Sequence, residues 1–112
     1  MLKNKLKLNE KKIDLIIKKY INSQKKSLLI TPMNYGVLSG GKKIRSYVIL
    51  ATGKLYKIKP NKLYNICAAV ECIHSYSLIH DDLPCMDNDK LRRGKPTAHI
   101  KFGEATAVLA GN

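Results

Sequence analysis

The residues best suited to chemistry lie between His74 and Lys95. Four aspartates, Asp81, Asp82, Asp87 and Asp89, crowd into the stretch HDDLPCMDNDK. Carboxylates repel one another, so such a cluster usually gathers around a cation. Magnesium fits best, being a hard ion commonly held by one or two carboxylates together with substrate phosphates. Asp81 and Asp87, the expected Mg2+ ligands, are six residues apart and would point apart on an unbroken helix, but a turn at Pro84 can bring both to one ion. Cations surround the acids: Arg92, Arg93 and Lys95 downstream, and Lys42 and Arg45 in the segment GGKKIRS upstream. Two glycines allow the backbone to approach an anion, and the helix that follows offers free N–H groups at its positive end. His74 lies two helical turns before Asp81 on the same stripe and can face the same cleft. The pattern describes two anion sites, one using carboxylates and magnesium, the other a lysine–arginine pocket.

Each feature also has a plainer explanation. The aspartates could be a solvated helix end, although acids at a helix C-terminus oppose the macrodipole. GGKK could be only a turn, and His74 a core histidine with one hydrogen bond. His80-Asp81 could be the metal-binding dipeptide of an HD-type phosphohydrolase, but that chemistry needs further histidines upstream and only His74 is there. An EF-hand loop starting at Asp87 would need glycine where Arg92 stands, and the paired ligand spacings of a zinc site are missing.

The elements that must position these groups read as helices, so the class is all-α. Ile13, Ile16, Ile17, Tyr20 and Gln24 recur one turn apart with lysines between them, giving a basic amphipathic helix within residues 1–27. Thr31-Pro32 reads as an N-cap and first-turn proline of a short helix that Gly40-Gly41 stops. Ile44, Tyr47, Val48, Leu50, Ala51 and Leu55 mark the next helix, in which Gly53 is tolerated at about 1 kcal/mol. A long helix from about 61 to Leu83 presents Leu63, Ile66, Cys67, Val70, Ile73, Ser77 and Leu78 as its face. Pro84 ends it. Cys85 to Pro96 is a loop with no hairpin signal, and Phe102, Ala105, Val108 and Leu109 mark a final helix. Residues 31–112 therefore carry both motifs on helices.

Composition narrows the class. The chain has 112 residues, 45% of them hydrophobic and 26% charged, enough for one small domain and unlike a disordered or collagen-like chain. No apolar run can cross a bilayer, and Cys67, Cys72 and Cys85 form neither a C-x-x-C pair nor an even set, which fits a reduced, cytoplasmic protein without stable membrane insertion. The net charge of +13 is concentrated in residues 1–62, which hold 15 lysines and Arg45 against Glu10 and Asp14. Such a half could be a non-catalytic polyanion-binding module, but its lysines are scattered through Asn- and Ile-rich sequence with few aromatics. A solvated basic face, with no nucleic-acid partner, is expected.

The string ECIHSYSLIHDDLPCMDNDKLRRGKPTAHIKFGEATAVLAGN closely resembles the first aspartate-rich region of the trans-polyprenyl diphosphate synthases, most of all the bacterial farnesyl and geranylgeranyl types. DDLPCMD is their D-D-x-x-x-x-D variant, followed by LRRGKPT. GGKKIRS resembles their GGKRxRP, with Lys43 and Ser46 departing from it. The resemblance implies the N-terminal part of the isoprenoid synthase helical bundle and a magnesium-dependent condensation of isopentenyl diphosphate with dimethylallyl or geranyl diphosphate. It further implies that Asp81 and Asp87 bind Mg2+ with Asp82 in support. Arg92 would contact the allylic diphosphate, and Lys42, Arg45, His74 and Arg93 would bind isopentenyl diphosphate. Tyr76, with Ser77 beside it, stands where the family sets product length, and its bulk favours farnesyl over geranylgeranyl diphosphate. The second aspartate-rich motif of these longer enzymes is absent and Asn112 replaces an aspartate. The chain is thus expected to be an N-terminal portion, inactive alone, of an enzyme that is a homodimer at full length.

Overall fold

Helix α4, Tyr64–Asp81, is the element around which the others are arranged. The computed structural model describes Met1–Asn112 as six α-helices: α1 Leu2–Asn22, α2 Ile30–Leu38, α3 Ile44–Leu55, α4, α5 Ala98–Phe102 and α6 Glu104–Gly111. A 3-10 turn, Pro60–Lys62, leads into α4, and two-residue strands β1 (Leu91–Arg92) and β2 (Lys95–Pro96) form a small hairpin. The all-α class holds. Helices α1, α2, α3 and α6 pack against α4, and α5 packs between α2 and α6.

Two apolar clusters hold these helices together. Ile13, Ile17 and Ile21 of α1 meet Val37 of α2 and Cys67 and Ala68 of α4. Their i, i+4 spacing is the stripe expected of a one-sided surface helix. Ile79, Leu83, Ala98 and Ala107 form the second cluster, which seats α5 and α6 beneath the acidic loop. Close contacts require small residues at α2 and α3. A side chain on Gly36 would run into Ile79, and one on Gly53 into Leu63, so Gly53 marks a helix-packing contact rather than a tolerated weakness.

Several local expectations change. The basic helix α1 ends at Asn22 with Ser23 as its C-cap, so Lys25 and Lys26 lie in the connection. Helix α2 starts one residue before Thr31, after Leu29, whose N–H is held by the Ser27 hydroxyl at 3.1 Å. Thr31 is therefore inside the first turn and caps nothing, while Pro32 still occupies a turn whose N–H groups lack helical partners. The long helix begins at Tyr64, and its buried face is Cys67, Ala68, Glu71, Ser75 and Ile79 rather than the bulkier set, leaving Ile66 and Ile73 exposed. In α3 it is Ser46 and Gly53 that are buried, with Ile44, Val48 and Leu55 outward. Gly103, at φ 92°, splits the last helical stretch into α5 and α6. The hairpin follows from Arg93-Gly94, both with positive φ (53° and 75°). That is the geometry of a tight two-residue turn, supplied here without flanking alternation.

Candidate diphosphate-binding site

The acidic loop is built by backbone hydrogen bonds that fold it against the end of α4. The Asp87 N–H donates to the Asp81 carbonyl at 2.8 Å, Asn88 N–H to Leu83 at 2.9 Å and Asp89 N–H to Asp82 at 3.1 Å. Asn88 takes a left-handed φ of 52° to complete the reversal. The backbones of Asp81 and Asp87 therefore lie side by side, and both residues are exposed. Thr97 fastens the far end, its hydroxyl donating to the Asp89 carbonyl at 2.8 Å.

Asp82 points the other way. It is 3% exposed, and Arg92 grips it in a two-pronged ion pair, Nε to Oδ2 at 2.7 Å and Nη2 to Oδ1 at 2.8 Å. This pair raises the Arg92 pKa and fixes the hairpin against the helix end. Both Asp82 oxygens are thus engaged by Arg92, which leaves Asp81 and Asp87 as the outward carboxylates beside it. The chain has no trio of histidine, cysteine, aspartate or glutamate close enough to form an all-protein metal cage. Two exposed aspartates whose backbones adjoin nevertheless suit magnesium, which keeps several waters and takes further oxygens from phosphate.

The second anion site lies one residue further along the hairpin. Arg93 reaches back so that its Nη1 donates to the Gly40 carbonyl at 3.1 Å, and a Cβ on Gly41 would stand 3.0 Å from its guanidinium carbon. With Gly40 and Gly41 at φ 109° and 101°, this approach needs glycine. Lys42, Arg45, His74 and Arg93 all line one open cleft of about 410 Å³, together with Glu71 and Ser75. Lys42, Arg45, Arg93 and His74 face one hollow whose single acid, Glu71, is bonded to the Ser46 N–H, an electrostatic setting that favours an anion. Burial, reinforced by Arg45, pushes the His74 pKa down from its ordinary 6.5, against the opposing charge of Glu71. A bound diphosphate would supply the missing negative charge. The NMR titration midpoint of the His74 ring is therefore expected below 6.5 in the free chain and to move up when pyrophosphate is added. A midpoint that stays put would place the anion elsewhere.

Lys43 and Glu71 have roles that spacing alone did not reveal. Lys43 caps α3 in a left-handed conformation (φ 49°) and turns inward, its Nζ 3.1 Å from the Val37 carbonyl and 3.4 Å from an Asp14 oxygen. Glu71, 2% exposed, accepts the Ser46 N–H at 2.8 Å. One of the N–H groups expected to await an anion at the start of α3 is thus already satisfied by Glu71, and side chains line the remainder of the cleft. A lone acid in the apolar stretch NICAAVECIHSYSL is the signal that identifies such a residue, because an isolated buried carboxylate would be very costly. Asp14, squeezed between burial and the Glu71 charge, has its pKa raised despite Lys43.

Tyr76, 44% exposed, sits one turn before the acidic end of α4 with its ring edge-on to His80 at 5.5 Å. Ser77 is half-buried, and its hydroxyl donates to the His74 carbonyl at 2.6 Å. The His80 Nε2 lies 3.1 Å from the Val108 carbonyl, which ties α4 to α6.

The helical bundle thus sets a lysine–arginine cleft beside an aspartate-rich loop. Residues 26–112 match the family model described as polyprenyl synthetase, and the chain belongs to that family. It is 57% identical over 84 residues to the farnesyl diphosphate synthase of Escherichia coli K12, a match covering 75% of this chain and 28% of that protein. It is 48% identical over 111 residues to the farnesyl diphosphate synthase of Bacillus subtilis, covering 99% of this chain and 34% of the relative. Among solved structures, an FPP/GFPP synthase from Zymomonas mobilis superposes with a TM-score of 0.91 at 41% identity, over 98% of this chain and 40% of that one. A geranyltranstransferase from Thermotoga maritima gives 0.88 at 38% identity, over 95% and 40%. The chain thus spans about a third of the length of the curated relatives it matches. No helix is long and apolar enough to cross a membrane.

Proposed function

We propose that this chain supplies the diphosphate-binding half of a trans-prenyltransferase site that makes farnesyl diphosphate. The observation that carries the proposal is the convergence of Lys42, Arg45, His74 and Arg93 on one cleft beside the Asp81/Asp87 loop. Isopentenyl diphosphate would lie in that cleft, its charge met by Lys42, Arg45 and Arg93, with His74 taking up a proton or donating to an oxygen. The allylic partner, dimethylallyl or geranyl diphosphate, would lie against the acidic loop, with Arg92 beside its diphosphate while held in line by Asp82.

In the reaction the allylic C–O bond breaks and its electron pair leaves with diphosphate. The double bond of isopentenyl diphosphate then forms the new C–C bond to the allylic carbon, and a proton is lost. Mg2+, held by Asp81 and Asp87, would supply charge neutralisation to the departing diphosphate. The arginines add fixed positive charge where negative charge develops, which is the largest contribution a protein makes to such a step. Tyr76 would limit the product: a ring one turn from the aspartates leaves little room for a longer apolar chain. A full-length enzyme built on this bundle would be a homodimer without stable membrane insertion.

The test is magnesium-dependent binding of an unreactive geranyl diphosphate analogue to this chain. Binding is expected to weaken roughly tenfold or more in Asp81→Ala/Asp87→Ala and to lose its magnesium dependence. An unchanged, metal-independent affinity would contradict the assignment. With only one carboxylate pair, the chain by itself is expected to yield no prenylated product from labelled isopentenyl diphosphate.

A further inference from the structure

We propose that the outward face of α1 is a reversible docking surface for an anionic lipid bilayer. The helix has two sides. Ile13, Ile17 and Ile21 face the core, and the opposite side carries Leu8 and Leu15, 69% and 68% exposed. These leucines are seven residues apart and so share one stripe along the helix. Lysines flank that stripe on both sides, Lys11 and Lys18 on one and Lys5, Lys12 and Lys19 on the other, all exposed. Lys12 keeps its ammonium over the Tyr64 ring at 4.6 Å, and the other four have no protein partner. Of the two acids of α1, Glu10 is half-buried, and Asp14, also half-buried, faces Lys43 while bordering the hollow that Lys11, Leu15 and Lys18 line. The outer face is therefore apolar along its centre and basic along its edges, with the one acid at its Lys11/Lys18 border, Asp14, engaged by Lys43. That is the section of a helix lying in the plane of a membrane, its leucines at the acyl boundary and its lysine stems snorkelling to the headgroups.

Charge complementarity selects an anionic bilayer over the other occupants. A second copy packed face to face would set lysine rows against each other. Nucleic acid fits less well because α1 has no arginine to fork onto phosphates. Its one aromatic, Tyr20, borders an apolar depression with Ile17, Ile21 and Met33 instead of standing among the outward lysines. Two leucines insert little area, so binding depends on charge and should reverse with salt.

The inference does not rest on the proposed enzymatic reading, and flotation of the whole chain with vesicles tests it. Retention is expected on phosphatidylcholine vesicles containing about 30% phosphatidylglycerol, with none on phosphatidylcholine alone. Raising salt from about 0.05 to 0.5 M should release the protein. Lys11→Gln/Lys18→Gln should weaken partitioning by about tenfold or more. Leu8→Gln/Leu15→Gln, which keeps every charge, should weaken it by a similar factor, and both pairs are surface changes whose folding circular dichroism verifies. Failure to bind anionic vesicles at low salt would overturn the proposal. So would vesicle binding indifferent to the leucine pair, or tighter binding to duplex or single-stranded nucleic acid than to the vesicles, either of which would indicate a general polyanion surface.

Discussion

Asp82→Ala is expected to destabilise the protein by about 3 kcal/mol, read as a lower urea midpoint at unchanged slope. Asp82 is buried at the end of α4, and its two short bonds to Arg92 are the only side-chain link between that helix and the β1–β2 hairpin among the observed ion pairs. Removing the carboxylate leaves a guanidinium that is one-third exposed without its partner. Partial solvation of Arg92 keeps the loss near the low end of what breaking a buried pair costs. Asp82→Asn, which preserves shape and one acceptor but not the charge, should lose about half as much. Both substitutions should also weaken allylic diphosphate binding, because Arg92, placed beside that diphosphate, loses the carboxylate that holds it in line. A midpoint within experimental error of the unsubstituted chain would show that the pair does not hold the hairpin.

Glu71→Ala is the second large effect, also about 3 kcal/mol. The carboxylate accepts a charge-assisted bond from Ser46 N–H in the first turn of α3, where negative charge also meets the positive end of the helix. Its removal leaves the buried Ser46 N–H without that acceptor. Lys43, 6% exposed, keeps its ion pair with Asp14. Glu71→Gln separates shape from charge. It keeps an acceptor for Ser46 and should cost about 1 kcal/mol. Because the Glu71 charge raises the His74 pKa against burial and Arg45, Glu71→Gln should move the His74 midpoint further down. An upward or absent shift would contradict the placement of Glu71 in the cleft wall.

These two residues show what sequence reading captures here. The aspartates and the GG-Lys-x-x-Arg segment were legible because charge, glycine and proline at those spacings each have a direct physical meaning. The structure places Lys42, Arg45, His74 and Arg93 on the wall of one cleft. Glu71 and Lys43 were not legible as structural partners. Lys43 ties the start of α3 to α1 and α2 through Asp14 and the Val37 carbonyl, Glu71 ties α4 to α3 through the Ser46 N–H, and no periodicity encodes a contact between Asp14 and Lys43. The face of α4 was misassigned for a related reason. Ranking positions by apolar bulk selects Ile66 and Ile73, whereas the helix turns its small and polar residues, Cys67, Glu71 and Ser75, toward the buried network. The hairpin escaped because its strands are two residues each and only the Arg93-Gly94 pair carried the signal. Helix existence survived these errors because apolar spacing over ten or more residues needs no knowledge of partners.

The central claim is that the cleft between α3, α4 and the hairpin binds a diphosphate. Calorimetric titration of the chain with isopentenyl diphosphate at low salt tests it most directly. Saturable binding at one site is expected, falling roughly tenfold or more in Arg45→Gln and again in Arg93→Gln, since each removes a charged hydrogen-bond donor. No measurable heat, or an affinity that neither substitution changes, would contradict it.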